Sequence, residues 1–450
     1  MLSSPPMSRD PLHLLAAIVL ATISLLAAGC SAQGSPARVN EGASPMNPIA
    51  ESYVKLVLAV GQHDSDYVDA YYGPPEWRTE AEAHKQPLTE IRSDAESLLA
   101  RLGAEPPAGG DELERLRHQY LLRQLQSLVA RVDMLSGKRL RFDAESKALY
   151  DAVAPIHTAE HFQGILDRLN AVLPGEGSVS ARLEEFRKGF VIPRDRLDGV
   201  FRAAIAECRR RTGEHIELPA GESFVVEYVT GKSWSAYNWY KGGFHSLIQV
   251  NTDLPIYIER AIDLACHEGY PGHHVYNARL EKHLVRDRGW PEYSVYPLFS
   301  PQSLIAEGTA NFGIEVAFPG PERTAFERDV LFPLAGLDPA TAARYYEIQE
   351  HLQELGYAGN EAARGYLNGE ISREDAEAWL VRYALMSPER AAQRVRFMDQ
   401  YRSYVINYNL GQDLVREYIE NRGGTEDAPA KRWEEFERLI SSPRLPSGLS

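Results

Sequence analysis

The sequence predicts a mainly α-helical protein with one small antiparallel β-sheet, on three observations. Apolar residues recur at three- and four-residue steps along most of the chain, several of these segments open on a capping residue, and only two short β-branched segments interrupt the pattern. In "ELERLRHQYLLRQLQSLVARVDML", Leu113, Leu116, Tyr120, Leu121, Leu125, Leu128 and Val132 fall on one face. "NPIAESYVKLVLAVGQHD", "AEHFQGILDRLNAVL" and "RDRLDGVFRAAIAECRRR" follow the same rule. Asp143, Ser372 and Ser387 read as helix caps, with Pro388 suited to a first turn. The absence of a fixed-period repeat argues against a solenoid. The two strand candidates are "SFVVEYV" (223–229) and "HSLIQVN" (245–251), and the Gly- and aromatic-rich "TGKSWSAYNWYKGGF" between them reads as a loop.

With 450 residues, 44% of them hydrophobic, the chain can bury a large core. Its net charge of −15 argues against nucleic acid or anionic lipid as partners, because both reward a basic surface. Residues 1–30 form a separate unit. Arg9 precedes an apolar run from Leu14 to Ala28, too short for a comfortable membrane span, and "LLAAGC" resembles a bacterial lipobox ending at Cys30. The expectation is a lipid on Cys30, a flexible tether over 31–47, and a location in the bacterial cell envelope facing the periplasm or the exterior. The anchor would be the only membrane contact. Beyond the tether, 48–215 reads as an N-terminal helical region, 216–425 as the region carrying the chemistry, and 426–450 as a C-terminal tail. "GEHIELPA" (213–220) is the candidate boundary. Cys208 and Cys266 both sit in helical patterns and read as buried thiols.

The chemistry concentrates in "CHEGYPGHHVYNARL" (266–280). His267 and Glu268 begin an H-E-x-x-H zinc motif, but Pro271 stands where the second histidine belongs. On a regular helix, residues four apart share a face, whereas residues six apart are rotated by about 240°. Pro271 cannot donate to the His267 carbonyl, and Gly272 tolerates backbone that other residues resist. A two-residue bulge at Pro271-Gly272 would bring His273 to the place of the missing ligand. His274, seven places from His267, is the alternative. A third ligand is expected from "SPQSLIAEGTANFGIEVAF", where Glu307 lies inside an apolar pattern and Gly308 leaves room for a neighbouring helix. Glu315 is the fallback ligand, and Asn311, one turn beyond Glu307, can orient a ligand histidine. Glu268 would then act as general base on a zinc-bound water. One Zn²⁺ per chain is the expected cofactor. Taken singly, each feature has an ordinary structural explanation, such as a solvated face, a turn or an arginine partner. Their order within a short stretch is what favours a metal site.

"HEGYPGHH" with a downstream "EG" helix resembles the bacterial family called domain of unknown function 885, which carries H-E-x-x-P-G-H and is grouped with gluzincin-like zinc metallopeptidases. The resemblance spans roughly residues 48–420 and takes in "YVDAYYGPPEW" and "VNTDLP". It implies a large helical metallopeptidase-like fold, with the small sheet beside the metal-binding helix. The family's two histidines and glutamate fall on His267, His273 and Glu268, and the glutamate of its E-G-W-A on Glu307, although Thr309 stands where tryptophan is common. A C-terminal family element matches "SYVINYNLGQDL" at Tyr408 and Gly411 but lacks its Pro-Gly. Tyr408 carries over as a catalytic oxyanion donor, with Tyr404 and Arg402 as alternatives. The implied activity is hydrolysis of a peptide or small amide, with "HSLIQVN" as an edge strand holding the substrate. A binding lipoprotein without turnover and a hydrolase of other amides or esters are the competing readings.

Overall fold

The computed structural model describes residues 44–106 and 110–449, so the leader, Cys30 and nearly all of the tether lie outside the described residues. Helix α1 (Asn47–Gly61) has Pro48 in its first turn and buries Tyr53, Val54 and Val57 completely. Strand β1 (Val68–Tyr71) follows. Helix α2 (Glu112–Leu135) spans the periodic segment that the sequence marks; Asp111 accepts a 2.7 Å bond from the Glu114 N–H as its cap. Leu121, Leu125, Leu128 and Val132 form its fully buried stripe. Ser372 and Ser387 cap their helices as expected, whereas Asp143 lies inside a first turn that begins at Phe142.

The chain is mainly helical, and its strands form two small sheets. Helix α3 (Leu197–Gly213) leads into β2 (Ser223–Val229), β3 (Ala236–Gly242) and β4 (His245–Asn251). The order is β2-β4-β3, with β2 parallel to β4 and β3 antiparallel to it, so the sheet is mixed. This corrects three expectations, the first being that the sheet is antiparallel. "HSLIQVN" is the central strand, paired on both sides, and β3, cut from the segment read as a loop, is an edge strand opposite β2. The alternation of β3 is obscured by aromatics on both faces, and it takes its order from pairing with β4.

Helix α4 (Glu259–Leu264) and helix α5 (His273–Leu280) flank the turn that carries His267 and Glu268, and α5 begins at His273. Strand β5 (Val295–Pro297) pairs with β1 and leads into α6 (Pro301–Ala317). Helices α7 (Pro388–Tyr401), α8 (Ile406–Glu420) and α9 (Pro429–Ile440) complete the elements around the site. Helices α6 and α8 cross at two glycines. A Cβ on Gly308 would lie 2.4 Å from the Gly411 carbonyl, and one on Gly411 would lie 2.7 Å from the Leu304 carbonyl. The segment 426–450, read as a tail, instead contains α9, whose Trp433, Phe436, Leu439 and Ile440 enter the core shared by α3, α4 and α6. That core also runs through 213–220, so this stretch is a turn within one compact unit. The Cys208 and Cys266 thiols are buried, unbridged and in contact, with their sulfurs 2.7 Å apart. Among the described residues no helix is long and apolar enough to cross a membrane.

Candidate metal centre

The motif helix changes character where the sequence departs from H-E-x-x-H. From Ala265 to Gly269 it widens to a π-type turn, in which the Tyr270 N–H reaches back five residues to the Ala265 carbonyl at 3.1 Å. Tyr270 is extended, the Tyr270–Pro271 peptide is cis, and helix resumes at His273. Gly272 sits against the preceding turn, its N–H donating to the Cys266 carbonyl at 2.9 Å. A Cβ there would lie 1.9 Å from the His267 carbonyl oxygen. Its glycine therefore serves close approach, and its φ of −74° is ordinary. The Pro271 ring rests over Gly313 of α6, near Phe436 of α9. Gly272→Ala is expected to push the two histidines apart, giving a folded protein that holds zinc at least tenfold more weakly by titration with a chromophoric chelator, the scale at which disturbed ligand support acts.

The break turns His273 toward His267, their ring centroids 4.7 Å apart and nearly perpendicular. Glu307, from α6, places Oε2 at 3.2 Å from His267 Nε2 and 3.7 Å from His273 Nε2. That oxygen is buried and has no hydrogen-bond partner. Tyr404 donates to the other oxygen, Oε1, at 2.7 Å. Asn311 does for His267 what its position on α6 anticipates. Its Nδ2 donates to the Tyr408 carbonyl at 3.1 Å, which leaves Oδ1 facing His267 Nδ1 at 2.8 Å. With Nδ1 carrying a proton toward Asn311, Nε2 is the nitrogen that faces Glu307 and is available to a metal ion.

Glu268 is buried beside the same nitrogens. His267, Glu268 and His273 each offer a ligand atom within 4.8 Å of the others, a grouping able to hold a metal ion. Two carboxylates thus reach the histidine pair. Glu307 is the better placed of the two to complete a three-donor set, because its free oxygen is close to both imidazoles and its other oxygen is already anchored. Burial raises the Glu268 carboxyl above its ordinary range, against the opposing pull of His267 and His273. Glu307 goes the other way. Burial alone would raise it, but the two imidazoles hold it well below the usual carboxylate range. Burial would likewise lower His273, and the facing charges of Glu307, Glu268 and Asp69 overcome this and push it to about 9.

The remaining candidates part from the centre. His274 is fully buried and uses both ring nitrogens elsewhere, Nε2 on Glu222 and Nδ1 on Ser246, each at 2.9 Å. Glu315 is taken by Gln412 and Arg416, and Arg402 by Glu145. Tyr408 lines the same cleft, half-buried, and its hydroxyl has no partner among the described residues. Other residues at the site carry no motif. Asp69 of β1 accepts a hydrogen bond from Tyr237, and burial lifts its carboxyl to about 6. Asn238 of β3 donates to the Glu268 carbonyl at 2.6 Å. Glu222 accepts from Tyr270 at 2.6 Å and from His274, tying down both flanks of Pro271-Gly272. Only Asp69 had a signal, inside "YVDAYYGPPEW". The others depend on contacts between segments distant in sequence.

The centre opens into a cleft of about 1360 Å³. No family model and no curated protein matches the chain. Among solved structures it is similar to a provisionally assigned lipoprotein from Colwellia psychrerythraea, at 14% identity and TM-score 0.49, over 80% of this chain and 68% of that one. A provisionally assigned lipoprotein of unknown function from Shewanella oneidensis gives 14% and 0.43, over 90% and 79%. A provisionally assigned oligoendopeptidase F gives 15% and 0.38, over 89% and 70%. Scores of this size leave the chemistry to be read from the site itself.

Proposed function

We propose that this chain is a zinc-dependent peptide hydrolase of the H-E-x-x-P-G-H type, held in the bacterial cell envelope by a lipid on Cys30. The observation that carries the proposal is the unpartnered Glu307 Oε2, buried between His267 and His273 at the foot of a large cleft. A buried carboxylate oxygen left without a donor is costly, and a cation shared with the two imidazoles satisfies it. Two histidines and one carboxylate form a donor set suited to zinc with a position left open. His267, His273 and Glu307 would hold the ion, and Asn311 and Tyr404 would orient them. Bound there, zinc supplies Lewis acidity toward a carbonyl and lowers the pKa of water.

The rest of the mechanism belongs to side chains. Glu268, with its carboxyl lifted by burial, takes a proton from the attacking water and returns one to the leaving amine. Tyr408, with a free hydroxyl in the cleft, donates to the carbonyl oxygen as charge develops there. Tyr404 is committed to Glu307, which favours Tyr408 for this role. Ala236, Tyr237 and Asn238 of β3 line the cleft, and this edge strand is placed to hold an extended peptide by its main chain. The test is digestion of an unbiased peptide library by soluble protein lacking residues 1–30. Cleavage should stop with chelator and return with zinc; no cleavage under any condition rejects the proposal. The anchor is tested separately. Labelled fatty acid is expected on the full chain and absent from Cys30→Ser, and an unlabelled, freely soluble wild type overturns it.

A further inference from the structure

Most arginines that line the cleft are neutralised within the protein. Arg187, Arg260, Arg323, Arg416 and Arg432 each have a carboxylate oxygen at 3.6 Å or less. Arg394 does not. It projects from α7 into the cleft, half-buried, without a hydrogen bond or carboxylate partner among the described residues. Its guanidinium lies against two rings, 4.8 Å from the centroid of Phe397 and 5.7 Å from that of Tyr408. Tyr408 stacks edge-on with Tyr404, the residue that anchors Glu307, so Arg394 stands one aromatic ring beyond the metal ligands. Arg390, one turn earlier on α7, also lines the cleft, and among the described residues its guanidinium donates only to the Pro255 carbonyl, at 2.9 Å.

A guanidinium carries five N–H donors in a flat fork and stays charged in proteins. Partly desolvated and without an acceptor, it is costly unless something else supplies the anion. Burial pulls the pKa of both Arg394 and Arg390 below the ordinary arginine value, the direction expected of charges with too little compensation. The two rings lie within cation–π reach of the Arg394 guanidinium, and its flat fork of donors matches a planar anion.

We propose that Arg394 receives a carboxylate of the substrate, close to the bond that is cut, with Arg390 adding positive potential behind it. The inference deepens the peptidase reading and rests on it. It defines the substrate class as peptides with a carboxylate beside the scissile bond. That carboxylate is either the free C-terminus or an Asp or Glu side chain; both present the same planar anion.

Four versions of one short peptide separate the sources: free acid, amide, amide with a terminal Glu, and amide with a terminal Gln. Binding is measured by calorimetry on chelator-treated protein, so that it is read without turnover, and hydrolysis is measured on untreated protein. At least one carboxylate-bearing version is expected to bind about 10- to 100-fold more tightly than its neutral counterpart, the scale of hydrogen bonds to a charged group. Preference for the free acid assigns the C-terminus, and preference for terminal Glu over Gln assigns the side chain. Arg394→Gln should erase the difference. Arg394→Lys should keep part of it, since it retains charge without the fork. Equal binding of acid and neutral versions by the wild type, or an undiminished preference in Arg394→Gln, overturns the proposal. If Arg394→Gln does not fold, the wild-type preference and its reduction in Arg394→Lys decide. If the wild type hydrolyses no peptide, the peptidase reading fails, while the role of Arg394 is still decided by binding.

Discussion

Glu268→Gln is expected to lower peptide turnover by roughly two to four orders of magnitude, the usual scale for loss of a general base. Zinc, fold and substrate binding should all survive. The amide is nearly isosteric with the acid, and the Glu268 backbone carbonyl keeps its bond from Asn238. The changed group cannot accept a proton, so the defect should fall on kcat with little change in KM. Steady-state kinetics with zinc analysis of the same sample reads both quantities. Wild-type turnover by Glu268→Gln would remove Glu268 as the base and end the mechanism proposed for it, whereas substrate binding with no turnover by the wild type would leave a binding protein as the better description.

His267→Ala and Glu307→Ala are expected to fail differently, inactive because they are empty. About one zinc per chain in the wild type should fall close to none in each, by elemental analysis after dialysis. Removing Glu307 also takes away the anion that faces both histidines, at 3.2 and 3.7 Å. Asn311→Ala should sit between these extremes. Losing the acceptor that fixes the His267 tautomer typically weakens metal affinity 10- to 100-fold. Full zinc in both ligand variants would remove the site from this place.

Local signals survive best in the sequence. Helix 112–135 follows from its periodic stripe, and strands 223–229 and 245–251 follow from β-branched composition, each with the boundaries expected. The Pro-Gly pair announces a break because proline and glycine act on their own backbone. Strand β3 was missed because its residues are ordered by a neighbour. Helix α9 was missed for a lesser reason: "WEEFERLI" has the spacing of an apolar face, and its place near the end of the chain invited the reading as a tail. Asp69, Glu222 and Arg394 belong to a third group. Each is an ordinary charged residue until folding sets beside it His273, the Pro271-Gly272 break or two aromatic rings, and no short-range pattern records that.

The widened turn at Ala265–Gly269 and the break after it share out the two extra residues between His267 and His273. The separation of the histidines in space is therefore uncoupled from their separation in the chain. A pattern written for an uninterrupted helix passes over this sequence, although the side chains it seeks lie side by side. For proteins that have absorbed an insertion in this way, kinship in chemistry is better sought by comparing where donor atoms meet than by counting the letters between them.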